Sequence, residues 1–200
     1  MDAKQIIESE EFKKCADFHG HICPGLSTGY KAAEAAMKWL EENRSVDEEI
    51  IAIVETDACS ADAVQVLTGC TFGKGNFIFR DYGKQVLILL SRNTGKGVRV
   101  SIKGNAGRPD EEHMALIKKM ISGSLTNEEQ IRFQELHLMK SKIILETPAE
   151  ELFNIEETTM QLPQKARIEP SVNCEICGEP VMKTKMESVN GKMICRGCLS

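Results

Sequence analysis

Four cysteines in the last 27 residues form two Cys-x-x-Cys pairs, and this spacing limits what that part of the chain can fold into. The pairs are Cys174 with Cys177 and Cys195 with Cys198, and 17 residues separate them. Each pair can turn two thiolates toward one ion, so the four cysteines are typical of a tetrahedral four-sulfur zinc site. A thioredoxin-type redox pair is the alternative, but it needs one Cys-x-x-Cys on a βαβ scaffold rather than two flanking a hairpin.

The residues between the two pairs predict that hairpin. The dipeptide Asn190-Gly191 favours a type I′ turn, and it separates the stretches MESV and KMIC. A unit of 27 residues buries too little apolar surface to fold alone, so we expect bound zinc to supply its folding energy. Because Leu199 and Ser200 alone follow the last cysteine, we expect a zinc ribbon or a truncated treble clef rather than a full treble clef.

Charge and apolar patterning exclude two classes of partner. The 25 Lys and Arg against 30 Asp and Glu give a net charge of −5, which does not suit a chain that coats nucleic acid or an anionic membrane. The four-cysteine segment 174–198, called the finger below, has no aromatic residue for stacking on bases, which favours a protein-contact or dimer-stabilising role over nucleic-acid binding. The longest strongly apolar run, 86–90, is far below the roughly 20 residues of a membrane span. Since the first residues lack an apolar signal core, we expect a cytoplasmic protein with reduced thiols.

Hydrophobic periodicity before the finger predicts an α+β domain with a mixed or antiparallel sheet and flanking helices. The predicted helices are 3–16, 24–40, 61–68, 110–122 and 126–142, and the predicted strands are 50–55 and the stretches FIFRD, QVLILLSR and VRVSIK. An acid-rich segment of weak periodicity follows. We therefore predict a metal-binding core domain at residues 1–145, a connector at 146–172 and a four-cysteine, zinc-ribbon-like finger at 173–200.

The segment FHGHICPGL places three potential metal ligands at alternate positions. In an extended segment, His19, His21 and Cys23 would project to one side and could approach one ion. Cys23 also precedes the predicted helix that begins at Pro24, where the helix dipole favours a thiolate. A tight turn with a buried thiol and a solvated histidine is the alternative interpretation. Two of the chain's four histidines beside a cysteine argue for a functional site.

A second segment, TDACSADAVQVLTGCTFGKGNF, carries similar chemistry. Cys59 lies between a predicted strand and a predicted helix, a common position for site residues. The later Gly-x3-Gly-Lys spacing that ends at Lys74 does not match a P-loop, which excludes nucleotide hydrolysis. The loop could hold an anion with Lys74, or it could be a plain glycine turn. We interpret Cys15 and His137 as ordinary helix positions, and both His113 and His137 as surface residues of amphipathic helices.

Together, FHGHICPGL and TDACSADAVQVLTGCTFGKGNF resemble the FmdE family, which is named for a subunit of formylmethanofuran dehydrogenase. The resemblance covers residues 10–105 by motif, and some members of this family carry a C-terminal zinc finger. It implies an α+β core that dimerises and a metal-binding cleft with His and Cys ligands. Carried over by position, His21 and Cys59 are the implied ligands, with His19 and Cys23 beside them.

We therefore expect a metal-binding protein that is accessory to a molybdenum or tungsten oxidoreductase, with Zn²⁺ in the finger and Zn²⁺ or another transition metal in the core. The mixed imidazole and thiolate set suits zinc, with nickel or copper(I) as alternatives, and excludes magnesium and calcium. The alternative function is a stand-alone zinc enzyme with an open metal position and Cys59, His21 or Lys74 as catalytic candidates, with Asp62 nearby as another functional group. The expected partners are a second copy in a homodimer, components of the oxidoreductase and a small-molecule or anionic ligand in the core cleft.

Overall fold

The computed structural model describes residues 2–104, 106–166 and 169–199. The chain divides into two compact units, Met1–Lys165 and Ala166–Ser200. The predicted domain ranges also contain Met1, Asn105, Arg167, Ile168 and Ser200, which lie outside the described residues.

The first unit is the predicted α+β fold, with helices packed on a mixed sheet. Its helices are α1 (Ala3–Glu8), α2 (Glu10–His19), α3 (Pro24–Leu40), α4 (Ser60–Thr68), α5 (Glu111–Ile121), α6 (Asn127–Glu146) and α7 (Ala149–Leu152), and its strands are β1 (Ile50–Val54), β2 (Phe77–Phe79), β3 (Val86–Ser91), β4 (Gly97–Ile102) and β5 (Phe153–Glu157). The predicted caps of α5 and α6 are present: Asp110 accepts from His113 N, and Thr126 with Glu129 forms a capping box.

The sheet has the strand order β2-β1-β3-β4-β5, in which β1 and β2 are parallel and the other pairs are antiparallel. The parallel pair is joined through α4, so β1, α4 and β2 form a βαβ unit. Cys59, the N-cap of α4, therefore lies near the carboxyl end of β1, an edge at which α/β sheets commonly place their sites.

Both faces of the central strands are buried. On one face Ile50, Ala52 and Val54 pack with apolar residues of α3 and α4, and on the other Ile51 and Ile53 pack with β3. Because side chains alternate along a strand, a continuous apolar run such as IIAIV indicates cover on both sides. The structure supplies that cover with helices on one face and with Met160 and Leu162 on the other.

The predicted boundary between the core domain and the connector differs from the structure. The predicted core domain ends at residue 145, but Phe153–Glu157 forms β5 and pairs with β4, as in the register Val100 with Ile155. The following residues cover the outer face of the sheet, and the first unit runs to Lys165. Only Phe153 is fully buried in β5, so this edge strand lacks the apolar alternation from which a strand is predicted.

The predicted helix 3–16 is two helices in the structure. Ser9 separates them with an extended backbone, accepts a hydrogen bond from Phe12 N through its hydroxyl and donates from it to Ile6 O. A serine hydroxyl that serves both a helix end and a helix start competes with a continuous helix. The second helix, α2, then extends to His19 and so carries the first predicted ligand on its last turn.

A close approach between α3 and α4 positions the start of α4. The two helices meet at Gly29, which is buried, and a Cβ at that position would lie 2.2 Å from the carbonyl oxygen of Ser60. Since Ser60 follows Cys59 directly, the absence of a side chain at Gly29 allows the thiol of Cys59 to reach the start of α3.

A Gly29→Ala substitution is expected to lower the free energy of unfolding of the full chain. Overpacking against rigid backbone costs typically about 1–3 kcal/mol, which exceeds the gain of up to about 1 kcal/mol that alanine brings in a helix. Urea unfolding followed by circular dichroism measures the change. Gly73→Ala is the control, because a Cβ there meets nothing within 4 Å, and a loss as large as that of Gly29→Ala would contradict the packing argument.

The second unit is built from two short hairpins. Its strands are β6 (Ser171–Asn173), β7 (Pro180–Met182), β8 (Met186–Val189) and β9 (Lys192–Cys195), paired β6 with β7 and β8 with β9. Asn190 and Gly191 have φ of 51° and 76°, so the predicted turn with two left-handed residues is confirmed. In the part of the chain that the structure describes, no helix combines the length and apolar character needed to cross a membrane.

Candidate metal centres

The first cluster forms where the chain passes from α2 to α3. His19 is the last residue of α2, Gly20 ends that helix with φ of 94°, and Cys23 is the N-cap of α3. The predicted extended segment is therefore wrong: a helix end and a helix start, joined by a left-handed glycine, bring the residues together.

Three of the predicted ligands share this cluster. The ligand atoms of His19, His21 and Cys23 all lie within 4.8 Å of one another. His19 Nε2 is 3.6 Å from Cys23 Sγ, and the rings of His19 and His21 have centroids 4.5 Å apart. Cys23 is buried and His21 is exposed, so the cluster is reached from one side. Two imidazoles and one thiol at this separation could hold a transition metal ion.

Asp62 orients one of the imidazoles. Its Oδ2 lies 2.7 Å from His19 Nδ1, which leaves Nε2 as the atom near Cys23. A carboxylate that accepts from the second nitrogen of a histidine fixes the tautomer and ring orientation that a metal ligand requires. Asp62 lies in the first turn of α4 and contacts His19 at the Nδ1 edge of its ring.

The Cys23 thiol is not predisposed to ionise, contrary to the prediction from its position before α3. Burial raises its pKa to about 11, and the nearby Cys59 raises it too, although the backbone N–H of Leu26, 3.3 Å from Cys23 Sγ, lowers it. Desolvation thus outweighs the helix start for this thiol. A cation next to the sulfur would reverse that balance, since a coordinating thiol is deprotonated.

Cys59 lies beside the cluster rather than within the group of three. Its thiol is close enough to that of Cys23 to raise the pKa of Cys23. A Cβ at Gly25 would lie 3.6 Å from Cys59 Sγ and 3.8 Å from Cys23 Sγ, so this glycine leaves room for both sulfurs at the start of α3. The structure therefore brings together all four residues predicted for the core site, with Cys59 in the most peripheral position.

Lys74 does not belong to this site. Its Nζ donates to Gly69 O at 2.9 Å, at the end of α4, and to Ser45 O at 3.3 Å, in the loop before β1. Gly69 is the C-cap of α4, and a cation there complements the helix dipole. This placement corrects the choice of Lys74 as a catalytic candidate, because the end of α4 that it binds is opposite to the end that carries Cys59.

A cleft of about 350 Å³ opens next to the cluster. The chemically active side chains in its wall are His21, Cys23, Cys59, His113 and His137. All four histidines of the chain, the fourth being His19, thus belong to the cleft or to the cluster at its edge.

His113 and His137 differ from their prediction as surface residues of amphipathic helices. His113 is 2% exposed, and its Nε2 lies 2.9 Å from Nδ1 of His137. Burial lowers the pKa of both imidazoles, and for His137 the neighbouring His113 and His21 lower it further. One signal in the sequence points to this placement: His113 lies three residues before the buried Leu116, on the apolar stripe of α5.

The second cluster is the four-cysteine set of the finger. The sulfur atoms of Cys174, Cys177, Cys195 and Cys198 all lie within 4.8 Å of one another. Backbone N–H groups of Cys195 and Ile176 each donate to Cys174 Sγ at 3.4 Å. These backbone donors lower the pKa of Cys174 to about 6. The pKa of Cys198 is instead raised to about 12 by the neighbouring thiols of Cys195 and Cys177. Such a set could hold one metal ion as four thiolates.

Comparisons with known proteins found a similar sequence and a similar structure. A curated relative from Archaeoglobus fulgidus, named as a probable S-adenosyl-L-methionine-binding protein, is 38% identical over 181 residues. The match covers 87% of this chain and 49% of the relative, so the chain spans about half the length of that protein. A crystal structure of a tungsten formylmethanofuran dehydrogenase FmdE-like protein from Syntrophus aciditrophicus is similar with a TM-score of 0.62 and 25% identity, covering 99% of this chain and 92% of the other.

The family model described as FmdE, molybdenum formylmethanofuran dehydrogenase operon, matches residues 18–154. This range begins just before the first cluster and ends inside β5, so it contains every residue of the cleft named above. The chain belongs to the FmdE family.

Proposed function

We propose that this chain is a cytoplasmic protein with two separate metal sites, one in the core and one in the finger. The observation that carries the core site is the convergence of His19, His21 and Cys23 within 4.8 Å, with Asp62 behind His19. Cys59 is the fourth candidate ligand, because its thiol neighbours that of Cys23. The borderline-soft donor set favours zinc in the core, and the four thiolates favour a structural zinc in the finger.

We further propose that the core site serves a molybdenum or tungsten oxidoreductase of the formylmethanofuran dehydrogenase type, in delivery, maturation or regulation. Two findings support this role: the description of the family model names the operon of the molybdenum enzyme, and the similar crystal structure is that of a protein named for the tungsten enzyme. In the described part of the chain the core cysteines are scattered among α2, α3 and the two ends of α4, without the spacing of a four-cysteine iron–sulfur motif. An accessory role suits such a chain better than the catalytic one.

Sedimentation velocity tests the accessory role directly. The metal-loaded chain is mixed with purified formylmethanofuran dehydrogenase at micromolar concentration, and we expect a complex that sediments faster than either protein. The matched comparison is Cys23→Ser, which alters the core site alone and so tests whether the complex depends on that site. Separate boundaries for the wild-type chain and the dehydrogenase would contradict the proposed partnership.

A stand-alone metal enzyme is the second candidate function, and the cleft is the observation that favours it. The cleft adjoins His21, Cys23 and Cys59 and is large enough for a small molecule. Of the two groups expected to assist an enzyme, Asp62 contacts His19, and Lys74 is bound elsewhere. The name of the Archaeoglobus relative makes S-adenosyl-L-methionine a ligand to test here by isothermal titration calorimetry.

A homodimer remains our proposal on the basis of the family resemblance. The apolar strand β3 is fully buried within the chain, so it offers no surface to a second copy. The surface at β2 is a better candidate for the dimer interface. β2 is an edge strand, Phe79 on it is 45% exposed, and the nearby Tyr82 is 58% exposed.

Sedimentation equilibrium at micromolar concentration is expected to report twice the chain mass of 22.2 kDa, and Phe79→Lys is expected to shift the mass toward that of one chain. Ile121→Lys, at another exposed apolar position, is the control. A wild-type mass of 22.2 kDa would contradict the dimer. If Phe79→Lys still forms a dimer, the interface does not lie at β2.

A further inference from the structure

The pair His113–His137 is a part of the cleft that the two proposed metal sites do not use. His113 comes from α5 and His137 from α6, and the two rings join through Nε2 of His113 and Nδ1 of His137 at 2.9 Å. This contact involves Nδ1 of His137, and Nε2 lies at the opposite edge of the same ring. His137 is half-buried in the cleft wall, which leaves its ring accessible to a ligand.

Packing holds the pair in one orientation. The ring of Phe133 meets His113 edge-on, with centroids 5.6 Å apart, and lies 4.6 Å from the ring of His137. The three rings thus form a cluster in which His113 is 2% exposed. A buried imidazole whose partner is another imidazole fixes the angle of the outer ring more narrowly than apolar contacts would.

His137 lines the same cleft as the metal-ligand cluster but is not part of that cluster. The described ligand atoms that lie within 4.8 Å of one another belong to His19, His21 and Cys23, without His137. His137 still shares the cleft wall with His21 and Cys23, and it is close enough to His21 for their charges to interact. A molecule in the cleft would therefore meet both the ligand cluster and the imidazole of His137.

An apolar groove continues from this point. It has a volume of about 640 Å³ and shares His21, Ile117 and His137 with the cleft, and its other lining residues are Ile22, Met120, Phe133 and Gln134. A groove with one amide and several apolar side chains suits a flat or apolar group rather than a charged one.

We propose that His137 is a ligand-binding residue of the cleft beside the core metal, and that His113 is its positioning residue. The ligand class is a small molecule whose oxygen-bearing head group binds the metal and hydrogen-bonds to His137 Nε2, while an apolar or aromatic part enters the groove. This inference rests on the proposed core metal site. It assigns that site a ligand class and two residues that the metal itself does not need.

The test uses the full chain loaded with Co²⁺, whose visible bands report coordination, and benzohydroxamate, which has a two-oxygen head group and a phenyl ring. A four-thiolate finger has no open position, so a spectral change on adding the hydroxamate reports the core. We expect saturable binding by the wild type and about tenfold weaker binding by His137→Ala, the effect of one lost hydrogen bond. Met120→Ala should weaken benzohydroxamate binding and leave acetohydroxamate binding unchanged. Lys142→Ala, on the exposed side of α6, is the matched control.

Two substitutions of His113 test its positioning role. His113→Gln keeps a hydrogen-bonding partner for His137 and should bind benzohydroxamate nearly as the wild type does, whereas His113→Leu should lose affinity as His137→Ala does. If the pair only stabilises the fold, both His113 variants will change urea unfolding, while every folded variant keeps the wild-type affinity and spectrum. That result, or no binding of benzohydroxamate by the cobalt-loaded wild type, would overturn the inference. If elemental analysis finds no core cobalt in the wild type, the proposed metal site itself is wrong, and the inference falls with it.

Discussion

A Cys23→Ser variant is expected to lose the metal of the core and keep the metal of the finger, so that the metal content falls from two ions per chain to one. Cys23 is the buried thiol at the centre of the cluster, and a serine hydroxyl is a much poorer ligand for zinc than a thiolate. His21→Ala should act in the same direction. Metal per chain, measured by mass spectrometry of the elements after purification without chelators, gives the result.

The controls are the other buried thiols of the core. Cys15 is completely buried on the apolar side of α2, and Cys70 Sγ lies 3.4 Å from Ile50 O, so neither Cys15→Ser nor Cys70→Ser should change the metal content. Cys59→Ser decides whether the peripheral thiol is a fourth ligand: we expect loss of the core metal. Two ions in Cys23→Ser would show that the cluster is not a metal site.

The variant Asp62→Asn tests whether Asp62 orients His19 without itself binding the metal. An amide oxygen can still accept from His19 Nδ1, but it is neutral and a weaker acceptor than the carboxylate, and changes to such partners typically weaken metal binding about 10–100-fold. The core metal should therefore remain after purification but exchange more readily with a competing chelator. Wild-type affinity in Asp62→Asn would contradict the positioning role of this carboxylate.

A Cys177→Ser variant is expected to lose one zinc and to unfold residues 174–198 while the first unit stays folded. The finger has few buried apolar side chains, chiefly Ile194 among its cysteines, so the metal has to supply its folding energy. The division of the chain into two compact units indicates that this loss stays local. Limited proteolysis with elemental analysis measures both effects.

The matched control for the finger is Glu179→Gln, since the Glu179 carboxylate lies 3.8 Å from Cys177 Sγ but is not part of the four-cysteine cluster. It should keep its zinc and its protection from protease. Full zinc content in Cys177→Ser, or a first unit that unfolds with the finger, would contradict the independent structural site.

The parts of this protein that the sequence alone determined are those coded over short distances. The two Cys-x-x-Cys pairs, the Asn190-Gly191 turn and the caps of α5 and α6 are local patterns, and the structure has each of them. The strand β1 and the helix α3 also follow their predicted ranges, because an apolar run and a helical stripe depend little on distant contacts. The segment FHGHICPGL contains three residues that were expected to converge and do, although its pattern did not predict the helix end that brings them together.

Tertiary structure decided everything that depends on which elements pack together. His113 and His137 meet the ligand cluster only because α5 and α6 pack beside the start of α3, about a hundred residues away in the chain. Lys74 binds the far end of α4 instead of the cleft, and β5 joins the sheet from a segment without strand periodicity. A local pattern records the conformation of its own residues, whereas a cleft is formed by the contacts between elements, and a single sequence carries no direct record of those contacts.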